Sequence, residues 1–278
     1  MLDTERKINP GDCWMFERFN RLASSPVTVL PACDRDCQML MKSMDWMREL
    51  DGQLPFSALV AQDAGMNKIL AKQVLEKARA TFVDVEHFIY QHPPTTGWPH
   101  VANWAFQHTA WHFYYTVGRP WFWMEADCVP LKAGWLRDWN AEYVRCGKAI
   151  MGAIVGGRGH CNGTAIYPPE FPELSTRAMQ SSDVAWDWEM RQETIAMTHD
   201  TKLMCHVWGV ENGKPSPYGG NAASFNNQGE VDAWVCPEAV LFHRSKDGTL
   251  IDRLRERRND KHRNSDRVTS GGRGMARV

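Results

Sequence analysis

Apolar and polar positions along this chain fall into short blocks that predict strands and helices in turn. Val27 to Leu30 is a β-branched run closed by Pro31, which predicts a first strand. Within Asp36 to Leu50 the residues Met39, Leu40, Met44, Met47 and Leu50 recur near helical spacing, so a helix follows. Phe56 to Val60 predicts a second strand, the Lys-, Leu-, Ala- and Gln-rich run from Asn67 to Ala80 a second helix, and Phe82 to Tyr90 a third strand. Asn103 to Tyr115 predicts a helix, which Arg119-Pro120 separates from the compact apolar strand Trp121 to Met124. Gly134 to Cys146 reads as a helix ended by Gly147, and Ala149 to Val155 as a strand before the turn Gly156-Gly157-Arg158-Gly159. Such alternation predicts an α/β/α sandwich with a mostly parallel central sheet. Beyond Asn162 the texture changes: a helix is expected over Asp187 to Thr198, and the Gly/Asn/Pro-rich stretch Asn212 to Gly229 reads as loops of the kind that build acceptor sites or lids.

With 278 residues, 43% of them hydrophobic, the chain can bury a sizeable core. We expect one catalytic domain over residues 1–252, with a ligand-binding half at about 26–130 and a second half at 131–252. Met1 to Pro10 carries Asp3, Glu5, Arg6 and Lys7 where a signal peptide needs an apolar core, and no run is long enough to span a membrane, so the expected location is cytoplasmic. In that setting the eight cysteines are expected as free thiols; Cys33 and Cys37 have no second Cys/His pair at zinc-site spacing. Net charge is −1, yet Arg253 to Arg277 holds nine Lys/Arg against three Asp/Glu. This basic tail, residues 253–278, is expected to be partly disordered from Gly271 onward, and it suits either solvent or the phosphates of DNA.

The sharpest chemical signal is Trp121-Phe122-Trp123-Met124-Glu125-Ala126-Asp127-Cys128-Val129-Pro130. An acid-x-acid triplet occurs seven times in the chain, so the triplet counts only because an apolar strand delivers it. If the strand stays extended, Glu125 and Asp127 share a side, and two carboxylates at the carboxyl end of an α/β strand can hold a hard divalent cation. Mutual repulsion of the pair predicts that removing one leaves stability intact. Asp187 and Glu189, flanked by Trp186 and Trp188, are candidates for a general base that deprotonates an attacking hydroxyl.

In these features the chain resembles the GT-A glycosyltransferases, from about Val27 to Leu254. That resemblance implies a GT-A-like, Rossmann-like fold and an acid-x-acid motif, here Glu125-Ala126-Asp127, that holds manganese or magnesium under a sugar-nucleotide diphosphate. It implies that Pro31, Ala32 and Asp34, after the first strand, and Asp63, after the second, lie where the nucleotide binds; Asp34 suits a helix N-cap equally well. His243 and Lys246 in Phe242-His243-Arg244-Ser245-Lys246 look like the late element that completes the metal shell and grips the diphosphate. His160-Cys161-Asn162-Gly163 resembles the segment lining the acceptor side, although Gly163 also suits a turn.

The expected activity is therefore hexosyl or pentosyl transfer from a nucleotide sugar, a UDP-sugar, to a hydroxyl. In general style the chain resembles bacteriophage enzymes that glycosylate their own genomes, which implies a hydroxymethylated pyrimidine in DNA as acceptor, and the host cytoplasm as location. In such an enzyme Trp186 and Trp188 are expected to stack on the extruded base. A glycan or protein acceptor, or a noncatalytic carbohydrate- or nucleic-acid-binding role, stands as the alternative. Nucleotidyl transfer finds no glycine-rich phosphate loop near the first strand.

Overall fold

A computed structural model describes residues 25–155, 159–174, 183–207, 209–212, 214–216 and 223–271, with side chains described as far as residue 260. The expectations for Met1 to Pro10, for the turn at Gly156 to Arg158, for much of the 212–229 stretch and for the segment after Gly271 lie outside the described residues.

The first elements are β1 (Val27–Ala32), α1 (Cys37–Asp51), β2 (Leu54–Asp63), α2 (Lys68–Thr81) and β3 (Phe82–Tyr90). Asn67 caps α2, its side chain accepting from the backbone N–H groups of Ile69 and Leu70. Next come α3 (His100–His112), which runs on into a π-helical turn (Phe113–Val117), then β4 (Trp121–Trp123), β5 (Cys128–Pro130), α4 (Trp135–Cys146), β6 (Ile150–Val155) and β7 (His160–Tyr167). The remainder holds α5 (Phe171–Leu174), α6 (Trp186–Glu189), α7 (Arg191–Thr194), a 3-10 turn (Ile195–Met197), β8 (Thr198–Asp200), β9 (Met204–His206), β10 (Gly209–Glu211), β11 (Lys214–Ser216), α8 (Gln228–Trp234), β12 (Leu241–His243) and α9 (Thr249–Gly271).

The central sheet has the order β3-β2-β1-β4-β7-β6-β8, and β7 alone is antiparallel to its neighbours. From β1 the chain goes to β2 on one side while β4 joins on the other, a switch point beyond whose carboxyl ends open α/β sheets take ligands. Alternation along the strands feeds two cores. Leu30, Val60 and Phe122 pack with Met44, Val74 and Trp139 from α1, α2 and α4, whereas Val29, Leu59, Trp121 and Trp123 pack with Phe106 and Ala110 of α3. The architecture is the expected α/β/α sandwich with a mostly parallel sheet.

A third core joins Trp46 of α1 to Phe225, Trp234, Phe242, Leu250, Ile251 and Leu254 around the small sheet β5-β12-β9. This core ties β5 to α1: Ser43 Oγ donates to the Cys128 carbonyl at 2.9 Å and Trp46 Nε1 to the Pro130 carbonyl at 2.7 Å. Each buried hydrogen bond of this kind contributes about 1 kcal/mol. Position 253 lies inside α9, and the helix is anchored by Leu250, Ile251 and Leu254 before its basic stretch begins. No helix among the described residues is long and apolar enough to cross a membrane. The seven described cysteines are free thiols.

Candidate active site

β4 ends at Trp123, and the chain then folds through a turn in which the Cys128 N–H donates to the Glu125 carbonyl at 3.0 Å. The extended continuation expected for this segment is thus corrected: a turn, and not strand alternation, presents Glu125 and Asp127. What brings them together is His243 at the end of β12, which pairs antiparallel with β5 so that His243 faces Cys128 across the ladder. His243 Nε2 lies 3.2 Å from Asp127 Oδ1 and 3.4 Å from Glu125 Oε2. Arg244 follows with φ +87°, a value L side chains rarely adopt; the turned chain lets the Ser245 N–H donate to the Asp127 carbonyl at 3.2 Å. Lys246 Nζ then donates to Asp127 Oδ2 at 2.6 Å.

The expected repulsion between two carboxylates is not what governs this site. Burial alone pushes the Asp127 carboxyl up, but His243 and Lys246 overcome it and hold it well below the usual carboxylate range. Burial pulls His243 down, yet Asp127 and then Glu125 lift it to about 9, so its ring carries a positive charge at neutral pH. Behind it His206, lowered to about 2 by burial and by the charges of His243 and Arg244, stays neutral. A positive charge is what the two carboxylates select, and a divalent cation supplies more of it than a ring proton.

Asp127 Oδ1 is buried without a hydrogen bond, although His243 Nε2 lies close by, and such an oxygen fits a metal ligand. Donor atoms of Asp127, Cys128 and His243 lie within 4.8 Å of one another, all buried. The Cys128 thiol is pushed well above its ordinary range by burial and then by Asp127 and Glu125, and its sulfur donates weakly to Thr164 Oγ1 at 3.7 Å. A protonated, soft sulfur matches manganese or magnesium poorly, whereas carboxylate oxygens and an imidazole match manganese well. Of that cluster the Asp127 carboxylate and the His243 imidazole suit a hard cation better than the Cys128 sulfur, and Glu125 lies outside it, 3.4 Å from His243 Nε2.

Asp187 reaches the same region from α6. Burial, then the charge of Glu125, pushes its carboxyl up to about 6, and His160 Nε2 stands 3.8 Å from its Oδ2. Glu189 is half-buried further along α6, its backbone N–H bonded to the Ala185 carbonyl, and of the two acids Asp187 is the one that feels Glu125. The continuous helix expected over Asp187 to Thr198 is instead broken into α6, α7 and the 3-10 turn. Trp186 does not face a ligand as expected, being 5% exposed and stacked on Phe106 at 4.5 Å, while half-buried Trp188 carries the Arg191 guanidinium 4.0 Å above its ring. Gly163 lies within β7, not in a turn. A Cβ there would stand 2.7 Å from Trp186 and 3.4 Å from Glu125, so glycine serves close approach.

The residues expected at the nucleotide end lie on the carboxyl side of β1 and β2. Ala32 is buried and Pro31 half-buried. Asp34 Oδ1 accepts from the Asn67 N–H at 2.8 Å, tying the loop after β1 to the start of α2, while the N-cap position of α1 belongs to Asp36, which makes no side-chain cap bond. Asp63 is 5% exposed and accepts from the Gly65 N–H at 2.7 Å, with His92 Nδ1 at 2.8 Å. Cys128 and His206 carry no role in the sequence reading, and Asn162 enters it only as part of the acceptor-side segment. Cys128 follows the acidic triplet directly and was open to notice; Asn162 and His206 meet the centre only through the pairing of distant strands.

No family model matches the chain. Nor does any curated protein match it in sequence. Among solved structures, the bifunctional glycosyltransferase WbbM aligns with TM-score 0.52 and 9% identity over 80% of this chain and 46% of that one, so the chain spans less than half of WbbM. The galactosyltransferase LgtC with donor and acceptor sugar analogues aligns at TM-score 0.49 and 12% identity, over 82% and 94% of the two chains. Mouse xyloside xylosyltransferase 1 aligns at 0.48 and 7% identity, over 80% and 98%. Likeness at such low identity speaks to architecture, and together with the sheet order it shows that this chain has a GT-A-type glycosyltransferase fold.

Proposed function

We propose that this protein is a metal-dependent glycosyltransferase that moves a sugar from a nucleotide-sugar donor, a UDP-sugar, to a hydroxyl acceptor. The observation that supports the reading is the convergence of Glu125, Asp127, His243 and Lys246, with a buried Asp127 carboxylate oxygen met by His243. A divalent cation held by Glu125, Asp127 and His243 supplies positive charge for a diphosphate leaving group. The Lys246 side chain is 52% exposed, so it can leave Asp127 for a phosphate oxygen without breaking the core. In this reading Asp187 takes the acceptor proton as the bond from the sugar to the diphosphate gives way to one from the sugar to the acceptor oxygen, a role its raised affinity for protons supports. A thermal-shift panel of nucleotide sugars with and without manganese identifies the donor, because a ligand of the folded state raises the melting point. Release of nucleotide from the best donor then separates a transferase from a binding module, and a donor that binds without ever being hydrolysed or transferred refutes the enzyme reading.

Hydroxymethylated DNA as the acceptor is a further step, supported by the basic charge of the segment after Asp252. Part of that charge is already spent inside the chain: Arg253 pairs with Glu256, Arg255 with Glu49 and Arg257 with Asp232. Transfer to oligosaccharides with no modification of hydroxymethylated DNA at low salt refutes this acceptor.

A further inference from the structure

Behind the proposed metal centre runs a line of side chains whose first member is oriented by a backbone amide. The Thr164 N–H, which can only donate, points at Asn162 Oδ1 at 2.8 Å. That settles the orientation of the Asn162 amide, and its Nδ2 therefore donates to His206 Nδ1 at 3.0 Å. His206 Nδ1 is thus an acceptor. His243 Nδ1 lies 3.0 Å from the same atom, so the proton between the two rings belongs to His243. With its proton on Nδ1, a neutral His243 keeps the lone pair on Nε2, the nitrogen that faces Asp127 and Glu125. The strands enforce the arrangement: β9 and β12 run parallel with His206 opposite His243, and Asn162 lies on β7.

We propose that Asn162 and His206 are positioning residues that set the tautomer of His243, presenting Nε2 to a divalent cation. The inference rests on the metal reading above. Partners that orient a ligating imidazole typically change metal affinity by ten- to a hundredfold when lost, about 1.4 to 2.7 kcal/mol.

Asn162→Asp tests the idea because it keeps the size of the side chain and the acceptor for Thr164, but replaces the donor to His206 with an acceptor. His206 must then carry its proton on Nδ1, and His243 loses the partner for its own Nδ1 proton. We expect manganese affinity, measured by calorimetry on the full chain, to fall roughly ten- to a hundredfold. An added carboxylate acting through charge alone gives the opposite sign and tightens binding. Long-range nitrogen–proton correlation spectra of His206 give a readout that needs no metal: Nδ1 is a lone-pair nitrogen in the wild type and an N–H nitrogen in Asn162→Asp. His206→Gln, which restores a carbonyl acceptor, should bind manganese better than His206→Phe, and this pair decides the matter if the Asp variant does not fold. A protonated His206 Nδ1 in the wild type, unchanged or tighter manganese binding by folded Asn162→Asp, or equal binding by the two His206 variants overturns the inference. Absence of manganese binding by the wild type instead overturns the metal reading, and the His206 spectrum still decides the proton order.

Discussion

Lys246–Asp127 and Arg255–Glu49 are ion pairs of the same 2.6 Å length, one at the candidate site and one on the flank of α9. Their surroundings differ. The Asp127 side chain is 7% exposed and shares its charge with His243, whereas Arg255 and Glu49 are 31% and 43% exposed and meet in a solvated groove between α9 and α1. Water screens the second pair, so it contributes under about 1 kcal/mol and serves to lay α9 against α1. In the first pair Lys246 meets water, 52% exposed, and what sets the pair apart is the buried Asp127 carboxylate that it shares with His243. Charge count draws the eye to the basic helix; burial singles out Asp127.

Asp127→Ala should separate the two regions most strongly. Loss of the cation and of Lys246's anchor is expected to lower kcat/KM at least about a thousandfold, near 4 kcal/mol. It should also destabilise the metal-free protein by roughly 3 kcal/mol in denaturant unfolding, since His243 is left buried without its main counter-charge. Unchanged stability would restore the view that the carboxylates merely repel each other.

Asp187 sharpens the comparison through pH. Its folded pKa of about 6 exceeds the ordinary 3.8, so the native state holds a proton that the unfolded chain releases first. The resulting stability is present below about 4 and lost as pH rises through about 6, a change of roughly 3 kcal/mol that Asp187→Asn should remove. Activity should rise over the same window if Asp187 is the base. A flat stability profile in the wild type contradicts the burial of this carboxylate.

Gly163→Ala inserts a methyl group 2.7 Å from Trp186. It should cost about 1 to 3 kcal/mol of stability and displace Glu125, seen as weaker manganese binding. At the small end, a double-mutant cycle on Arg255 and Glu49 should give a coupling under about 1 kcal/mol that fades with salt, with manganese affinity untouched. A coupling as large as the effect of Asp127→Ala breaks the comparison.

The first half of the fold was legible because its periods are strong. The helix expected from Asn67 to Ala80 is Lys68–Thr81, and the strand expected at Phe82 to Tyr90 is observed as such. Alternation failed at Glu125-Ala126-Asp127, where a buried strand stops short and a turn takes over with no Gly, Asn or Pro to announce it. Asn162-Gly163 carried the opposite error: a dipeptide typical of turns sits in β7 because Trp186 needs the space above Gly163. The basic stretch expected as a tail from 253 begins inside α9, whose apolar hold on the core is Leu250, Ile251 and Leu254, with Asp252 and Arg255 pairing to Lys42 and Glu49 of α1. His206, and the contact that joins Asn162 to it, are not legible in the sequence, since they depend on which strands lie side by side and on where one backbone N–H points.

The central claim is that Glu125, Asp127 and His243 hold a cation for a nucleotide diphosphate. Calorimetric titration of uridine diphosphate into the full chain, once with manganese and once with a chelator, tests it most directly. The account predicts weak binding in the chelator, where the diphosphate faces two carboxylates with only the His243 and Lys246 charges between them, and binding at least about tenfold tighter, near 1.4 kcal/mol, with manganese. Equal affinity under the two conditions contradicts it.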